Sequence, residues 1–286
     1  KLYFTYDINT WTTTANTITA RQYAAGAGSG AQDGLIAGGG FPSYLLKTEH
    51  WNGIAWSECN DHNNTGHRLG GGWSSCDMLL DVGYVNSNCT ELWNGVNWTE
   101  EADSPGGIYS GTGMGTTNAF IKGGGFNYSH ALLTAAYEWN GGSWSSTSAL
   151  PTAIGAASSA GTQNSALFFG GRTPGTVPDN CSFAYNGTSW STENALNQVK
   201  EGGGRAGTQN ATLSFGGYSP TNLTATEEYN GTTWKSVNNM NTARRPFDTS
   251  QGTQGSAFTA TGSPGNTSHS EIYTTTGIGC ACIGGV

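Results

Sequence analysis

Residues 207–234 read Gly207-Thr-Gln-Asn-Ala-Thr-Leu-Ser-Phe-Gly-Gly-Tyr-Ser-Pro-Thr-Asn-Leu-Thr-Ala-Thr-Glu-Glu-Tyr-Asn-Gly-Thr-Thr-Trp234. Three phrases lie in this stretch: Gly-Thr-Gln, an apolar run closing on Gly216-Gly217, and an aromatic followed by Asn-Gly-x-x-Trp. Short apolar and β-branched runs bounded by Gly, Asn, Ser and Thr form a strand pattern. Asn-Gly between two such runs signals a hairpin, because both central residues of a tight turn tolerate positive φ. The stretch reads as strands b, c and d of a four-stranded unit, with strand a ahead of Gly207.

The same phrases recur along the chain. Trp51-Asn-Gly-Ile-Ala-Trp56, Trp93-Asn-Gly-Val-Asn-Trp98, Trp139-Asn-Gly-Gly-Ser-Trp144 and Tyr185-Asn-Gly-Thr-Ser-Trp190 precede Tyr229–Trp234, and Tyr6-Asp-Ile-Asn-Thr-Trp11 is a weaker copy. The second Trp stands at 11, 56, 98, 144, 190 and 234, so its spacings are 45, 42, 46, 46 and 44. Glycine closures fall at Gly40, Gly83, Gly125, Gly171, Gly217 and Gly262. For the fourth unit the strands are expected near 153–160, 165–170, 181–185 and 188–192.

A four-stranded repeat of about 40–50 residues is a propeller blade. The glycine doublet, the downstream aromatic and the Trp beyond it resemble the kelch repeat over nearly the whole chain. The resemblance implies an all-β, six-bladed β-propeller with blades at 12–56, 57–98, 99–144, 145–190, 191–234, and 235–286 joined to 1–11. The wording of Glu227-Glu-Tyr-Asn-Gly-Thr-Thr-Trp234 and Asn241-Thr-Ala-Arg244 is similar to kelch-like repeats of environmental, especially marine, phage virion proteins. It implies a virion or extracellular setting. Kelch propellers serve enzymes, adaptors and adhesins, so the skeleton alone does not choose among them.

Both termini contribute to closure. Strands a, b and c of the sixth blade are expected near Phe247–Ser250, Ser256–Thr261 and Ser270–Tyr273, with Ile8–Thr13 as strand d beside Glu271–Tyr273. Lys1–Thr5 is then spare. It is expected either to lie on its own blade or to add to a neighbouring subunit and build a homo-oligomer.

Composition narrows the function classes. Charged residues are 10% of the 286, against about 25% in ordinary domains, and the formal net charge is −8. No basic stripe exists for nucleic acid, and no apolar run approaches a membrane span. The chain begins at Lys1, which fits an upstream segment having been removed. Ten Asn-x-Ser/Thr sequons, starting at Asn63, Asn88, Asn97, Asn127, Asn180, Asn186, Asn210, Asn222, Asn230 and Asn266, permit glycosylation. Six cysteines, Cys59, Cys76, Cys89, Cys181, Cys280 and Cys282, fit an oxidising compartment and are disulfide candidates. Cys76 to Cys89 is one pairing; Cys280 or Cys282 to Cys181, or to another subunit, are others.

The repeated residues read as architecture: glycines for close approach and the strand-d Trp residues for packing between blades. Function is expected where the repeat is irregular, in the b–c loops. These hold Phe41 and Tyr44, then Phe126, Tyr128 and His130, then Arg172 and Asp179, then Tyr218. Aromatic faces beside polar groups suit a host-surface glycan.

Catalytic signatures are not legible. Asp61, Asp77, Asp81, Asp103, Asp179 and Asp248 do not recur in a paired glycosidase setting, and no nucleophile elbow or phosphate loop occurs. Cys59-x-x-His62, near His67, Cys76 and Cys89, is only a fragment of a zinc pattern. The reading is a non-catalytic surface propeller without cofactor or metal: a glycan-contacting appendage, or a structural subunit of a surface filament whose partners are other subunits. A secreted kelch-type carbohydrate-active enzyme or lectin domain is the alternative.

Overall fold

In a computed structural model the backbone is described for residues 3–4, 8–40, 43–65, 67–84, 87–175, 177–276 and 281–282. Phe41, Cys280 and the side chains of His67 and Cys282 lie outside the described residues. Six four-stranded antiparallel sheets surround one axis, with no helix among the described residues.

The first blade comprises Ala25–Gly30, Asp33–Ala37, Thr48–Trp51 and Trp56–Cys59. The second comprises His67–Ser74, Asp77–Tyr84, Ser87–Trp93 and Trp98–Glu101. The third has Thr112–Thr116, Ala119–Gly123, Ala136–Trp139 and Trp144–Ser146. The fourth has Ser158–Thr162, Ser165–Phe169, Ser182–Tyr185 and Trp190–Glu193. The fifth has Gly204–Thr208, Ala211–Phe215, Thr226–Tyr229 and Trp234–Val237. The sixth joins Ser250–Thr253, Ser256–Ala260 and Ser270–Thr276 to Ile8–Thr13 from the other end of the chain. Trp11 faces Tyr273 and Thr13 faces Glu271 across that closure. Of the spare N-terminal segment, Tyr3–Phe4 pairs antiparallel with Ala281–Cys282 outside the six sheets; the rest lies outside the described residues.

Three local expectations change. Strand a of the fourth blade starts at Ser158 rather than 153, and that of the sixth at Ser250 rather than Phe247. The residues ahead of it form a separate connection. Gly-Thr, expected beyond strand a, instead ends it, and the following pair turns, as Gln163-Asn164 does. At Asn-Gly only the glycine is left-handed, for example Gly187 at φ 88°. The Asn caps the loop instead: Asn186 Oδ1 accepts from the amides of Thr188 and Ser189.

The repeated phrases bind blade to blade. Rings of the strand-d Trp reach the preceding blade, as Trp234 against Phe169 at 5.1 Å and Trp11 against Phe215 at 4.8 Å. Trp98 and Trp144 donate their indole N–H to Thr48 and Thr90 of the preceding blade. Gln163, Gln209 and Gln254 each donate to two carbonyls of the preceding blade, those of Gln209 being Ala166 and Tyr185.

A second device is ionic. The strand-c residues Glu49, Glu91, Glu227 and Glu271 are buried. Each accepts two backbone N–H groups from the connection that enters its blade, as Glu227 does from Asn197 and Gln198. A cationic or titratable residue of that connection, Arg21, His62, Lys200 or Arg244, stands beside each carboxylate.

Strands a line the axis, and the axis is filled. Arg205, fully buried on the fifth blade, donates to Ser159 Oγ at 2.7 Å, Thr112 Oγ1 at 3.3 Å and the Gly70 carbonyl at 2.7 Å. It also pairs with Asp248 at 2.8 Å, so one guanidinium touches the second, third, fourth and sixth blades. Gln251 reaches Met114 Sδ across the same space.

Candidate functional site: the mouth of the axis

Strand direction alternates, so the b–c and d–a connections emerge on one face. There, five blades place a left-handed residue shortly before strand a: Tyr23 (φ 57°), Ser110 (49°), Ala156 (52°), Gly202 (56°) and Phe247 (54°). Side chains rarely adopt this conformation, at a cost of about 1–3 kcal/mol for each of the four residues other than Gly202. A backbone arc holds four of them: Ala156 N donates to Ser110 O, Gly202 N to Ala156 O and Phe247 N to Gly202 O, at 2.8–2.9 Å. The second glycine of each closure fits between blades. Gly125, Gly171 and Gly217 donate to the carbonyls of Ile154, Lys200 and Arg244 of the next connection. A Cβ on Gly171 would lie 2.6 Å from the Gly155 carbonyl, so a side chain there is excluded.

This frame leaves a concave pocket of about 430 Å³ at the mouth. On one side Phe126 stacks on Tyr109, centroids 5.4 Å apart and planes 22° from parallel, and the Tyr109 hydroxyl is hydrogen-bonded to His130 Nδ1. On the other, Tyr23 lies 4.4 Å from Phe247. Between them Glu201, 1% exposed, receives two cations. Arg172 donates to it through Nε and Nη2, and Arg245 Nη2 lies 2.7 Å from its Oε1. The Arg245 guanidinium sits over the rings of Phe247 (4.5 Å) and Tyr218 (5.5 Å), a cation–π arrangement.

No family model matches the chain, and no curated protein matches it.

Electrostatics grade inward from the mouth. The bond to Glu201 raises the Arg172 pKa, while burial lowers that of Arg245 against the pull of Glu201. Beneath them, burial pushes the Asp248 carboxyl up to about 6, opposed by Arg205. The deepest part of the mouth is a small void walled by Tyr23, Ser110, Ala156, Phe247 and Asp248.

Of the residues expected from the sequence, Phe126, His130 and Arg172 come together here, with Tyr218 at the edge under Arg245. Tyr44, Tyr128 and Asp179 do not line the pocket. Tyr128 covers Gly107, where a Cβ would meet its ring at 2.4 Å. Asp179 shapes its own loop, accepting from Thr173 Oγ1 and the amides of Asn180 and Cys181. Sequence reading missed Tyr23, Tyr109, Glu201, Arg245 and Phe247, all in d–a connections. The available signal was that Tyr109-Ser110, Gly155-Ala156 and Glu201-Gly202 occupy one repeat position with different residues.

One cysteine pairing is corrected. Cys59, Cys76 and Cys181 carry free thiols, and Cys76 does not pair with Cys89; the calls on Cys280 and on the Cys282 side chain lie outside the described residues. Cys76 sits in the a–b turn of the second blade, whereas Cys89 faces Val82, five residues along the strand that begins at Asp77. At ~3.3 Å per residue this far exceeds disulfide reach. Cys59 and Cys89 instead pack against the apolar cluster of Leu35, Leu80 and Trp98. Cys59 and His62 do not share a ligand cluster; His62 is buried beside Glu91 at 3.9 Å. Among the described residues the thiol of Cys89 does converge with carboxylates of Glu100 and Asp103, within 4.8 Å of one another.

Proposed function

We propose that the protein is a non-catalytic binding propeller of an extracellular or virion surface, and that it takes a saccharide at the mouth of its axis. The observation that carries this reading is the pocket with Tyr109–Phe126 on one side, Tyr23–Phe247 on the other, and guanidinium groups between. Ring faces stack on the C–H faces of sugars, and a few fixed polar groups read their hydroxyls. The kelch-like phrasing, its similarity to phage virion repeats, and the polar but weakly charged composition support the surface setting. The acidic groups at the mouth support binding over hydrolysis, since Glu201 and Asp248 are each engaged by arginine.

The test is a glycan array with intact protein and with Phe126→Ala and Tyr109→Ala. Retained binding in the intact protein, lost in both variants while their melting curves stay cooperative, is the expected result. Binding unaffected by either variant places recognition elsewhere.

A second reading, assembly, has its own observation. The Tyr3–Phe4 and Ala281–Cys282 pair stands apart from the blades and offers strand edges to another subunit. Removal of residues 1–5 lowers the mass in solution if that reading holds, and leaves it unchanged otherwise.

A further inference from the structure

We infer that the mouth selects an acidic saccharide, a sugar carrying a carboxylate, with Arg172 and Arg245 as the groups that receive it. The inference rests on the saccharide reading above and deepens it. Three observations support it.

The first is the charge count. Arg172 and Arg245 share one carboxylate, Glu201, so this trio keeps one unit of positive charge. Asp248, the next acid inward, does not offset the surplus, because Arg205 at 2.8 Å already balances it. A local positive centre on a chain of net charge −8 is a specific feature.

The second is unused donor capacity. Arg172 spends Nε and Nη2 on Glu201 and is half-exposed, which leaves Nη1 for a ligand. Arg245 spends Nη2 on Glu201 and keeps part of its guanidinium exposed, while its Nε is buried against the backbone and is not offered to a ligand. A guanidinium fork matches the planar geometry of a carboxylate.

The third is placement. The cations lie between the two aromatic pairs, so a ring set against Phe126 carries its substituent to Arg172. Low exposure on the Arg245 side weakens screening, which strengthens the pairing.

Calorimetric titration of the intact protein tests this, using galacturonate oligomers, the same oligomers with their carboxyls reduced to alcohols, and free citrate. The acid form is expected to bind at least about tenfold tighter than the reduced form. Its affinity is expected to fall with added salt, while that of the reduced form does not. Arg172→Gln is expected to level the two forms, the acid form losing most of its advantage over the reduced one. Glu201 keeps Arg245 in that variant, so its carboxylate is not left unpaired.

Equal binding of acid and reduced oligomers overturns the proposal and leaves the saccharide reading standing. Citrate competing as well as the oligomer also overturns it, because the site is then a simple anion site. Binding of neither oligomer, together with an empty glycan array, removes the saccharide reading itself. If Arg172→Gln fails to fold, the salt dependence of the intact protein decides: an acid affinity insensitive to salt contradicts the proposal.

Discussion

Arg205 is the residue on which the centre of the ring depends. It makes contacts with four blades besides its own, and Asp248 is its counter-ion. Removing one member of a buried pair strands the other charge, at a cost of about 3–5 kcal/mol. Arg205→Met is therefore expected to lower the unfolding free energy by that amount in denaturant titration, and Arg205→Met with Asp248→Asn to recover part of it. The pair also gives a pH signature. The Asp248 carboxyl stands at about 6 in the folded protein, above its ordinary value of 3.8. Between these values the folded state holds more protons than the unfolded state, so this group's contribution to stability falls as pH rises. Relative to Asp248→Asn, the intact protein is expected to lose up to about 3 kcal/mol as pH rises from about 4 to about 7, and nothing further above that. A difference independent of pH across that window contradicts the assignment.

Blade contacts repeat, so single-site effects at element scale are expected to add. Gln163, Gln209 and Gln254 satisfy carbonyl pairs on different blades and share no partner. Each Gln→Ala is expected to cost about 1–2 kcal/mol, and the triple variant the sum within about 1 kcal/mol; thermal or urea unfolding measures both. The sequence displayed these elements unequally. Trp190 and Gly170-Gly171 were legible because inter-blade packing demands the same side chain, or none, in each copy. The start of strand a was not, because the turn at Ala156 and Gly202 is held by backbone N–H and C=O groups that any residue carries. For the same reason Tyr109 and Phe247 escaped notice: their backbone is repeated and their side chains are not. Glu49, Glu91, Glu227 and Glu271 were visible as acids, but two blades substitute Tyr137 and Phe183, which hides the latch as a rule. The separation of Cys76 from Cys89 shows how little a cysteine count says about distance.

At the scale of the molecule, closure by Ile8–Thr13 joins the two ends of the chain in one sheet and brings Trp11 against Phe215 of the neighbouring blade. Deleting residues 1–13 is expected to abolish cooperative unfolding and expose the edge of Ser270–Thr276 to aggregation, whereas deleting residues 1–5 leaves the melting temperature unchanged; scanning calorimetry separates the two. The closed ring positions Tyr23 and Phe247 across the axis from Phe126 and Arg172, so recognition at the mouth depends on all these connections at once. The most direct test of that central claim is a crystal structure with the saccharide that scores highest on the array. The account predicts the sugar seated at the mouth, against Phe126 and bonded to Arg172. A sugar bound on the opposite face, or along the outer edge of a blade, would contradict it.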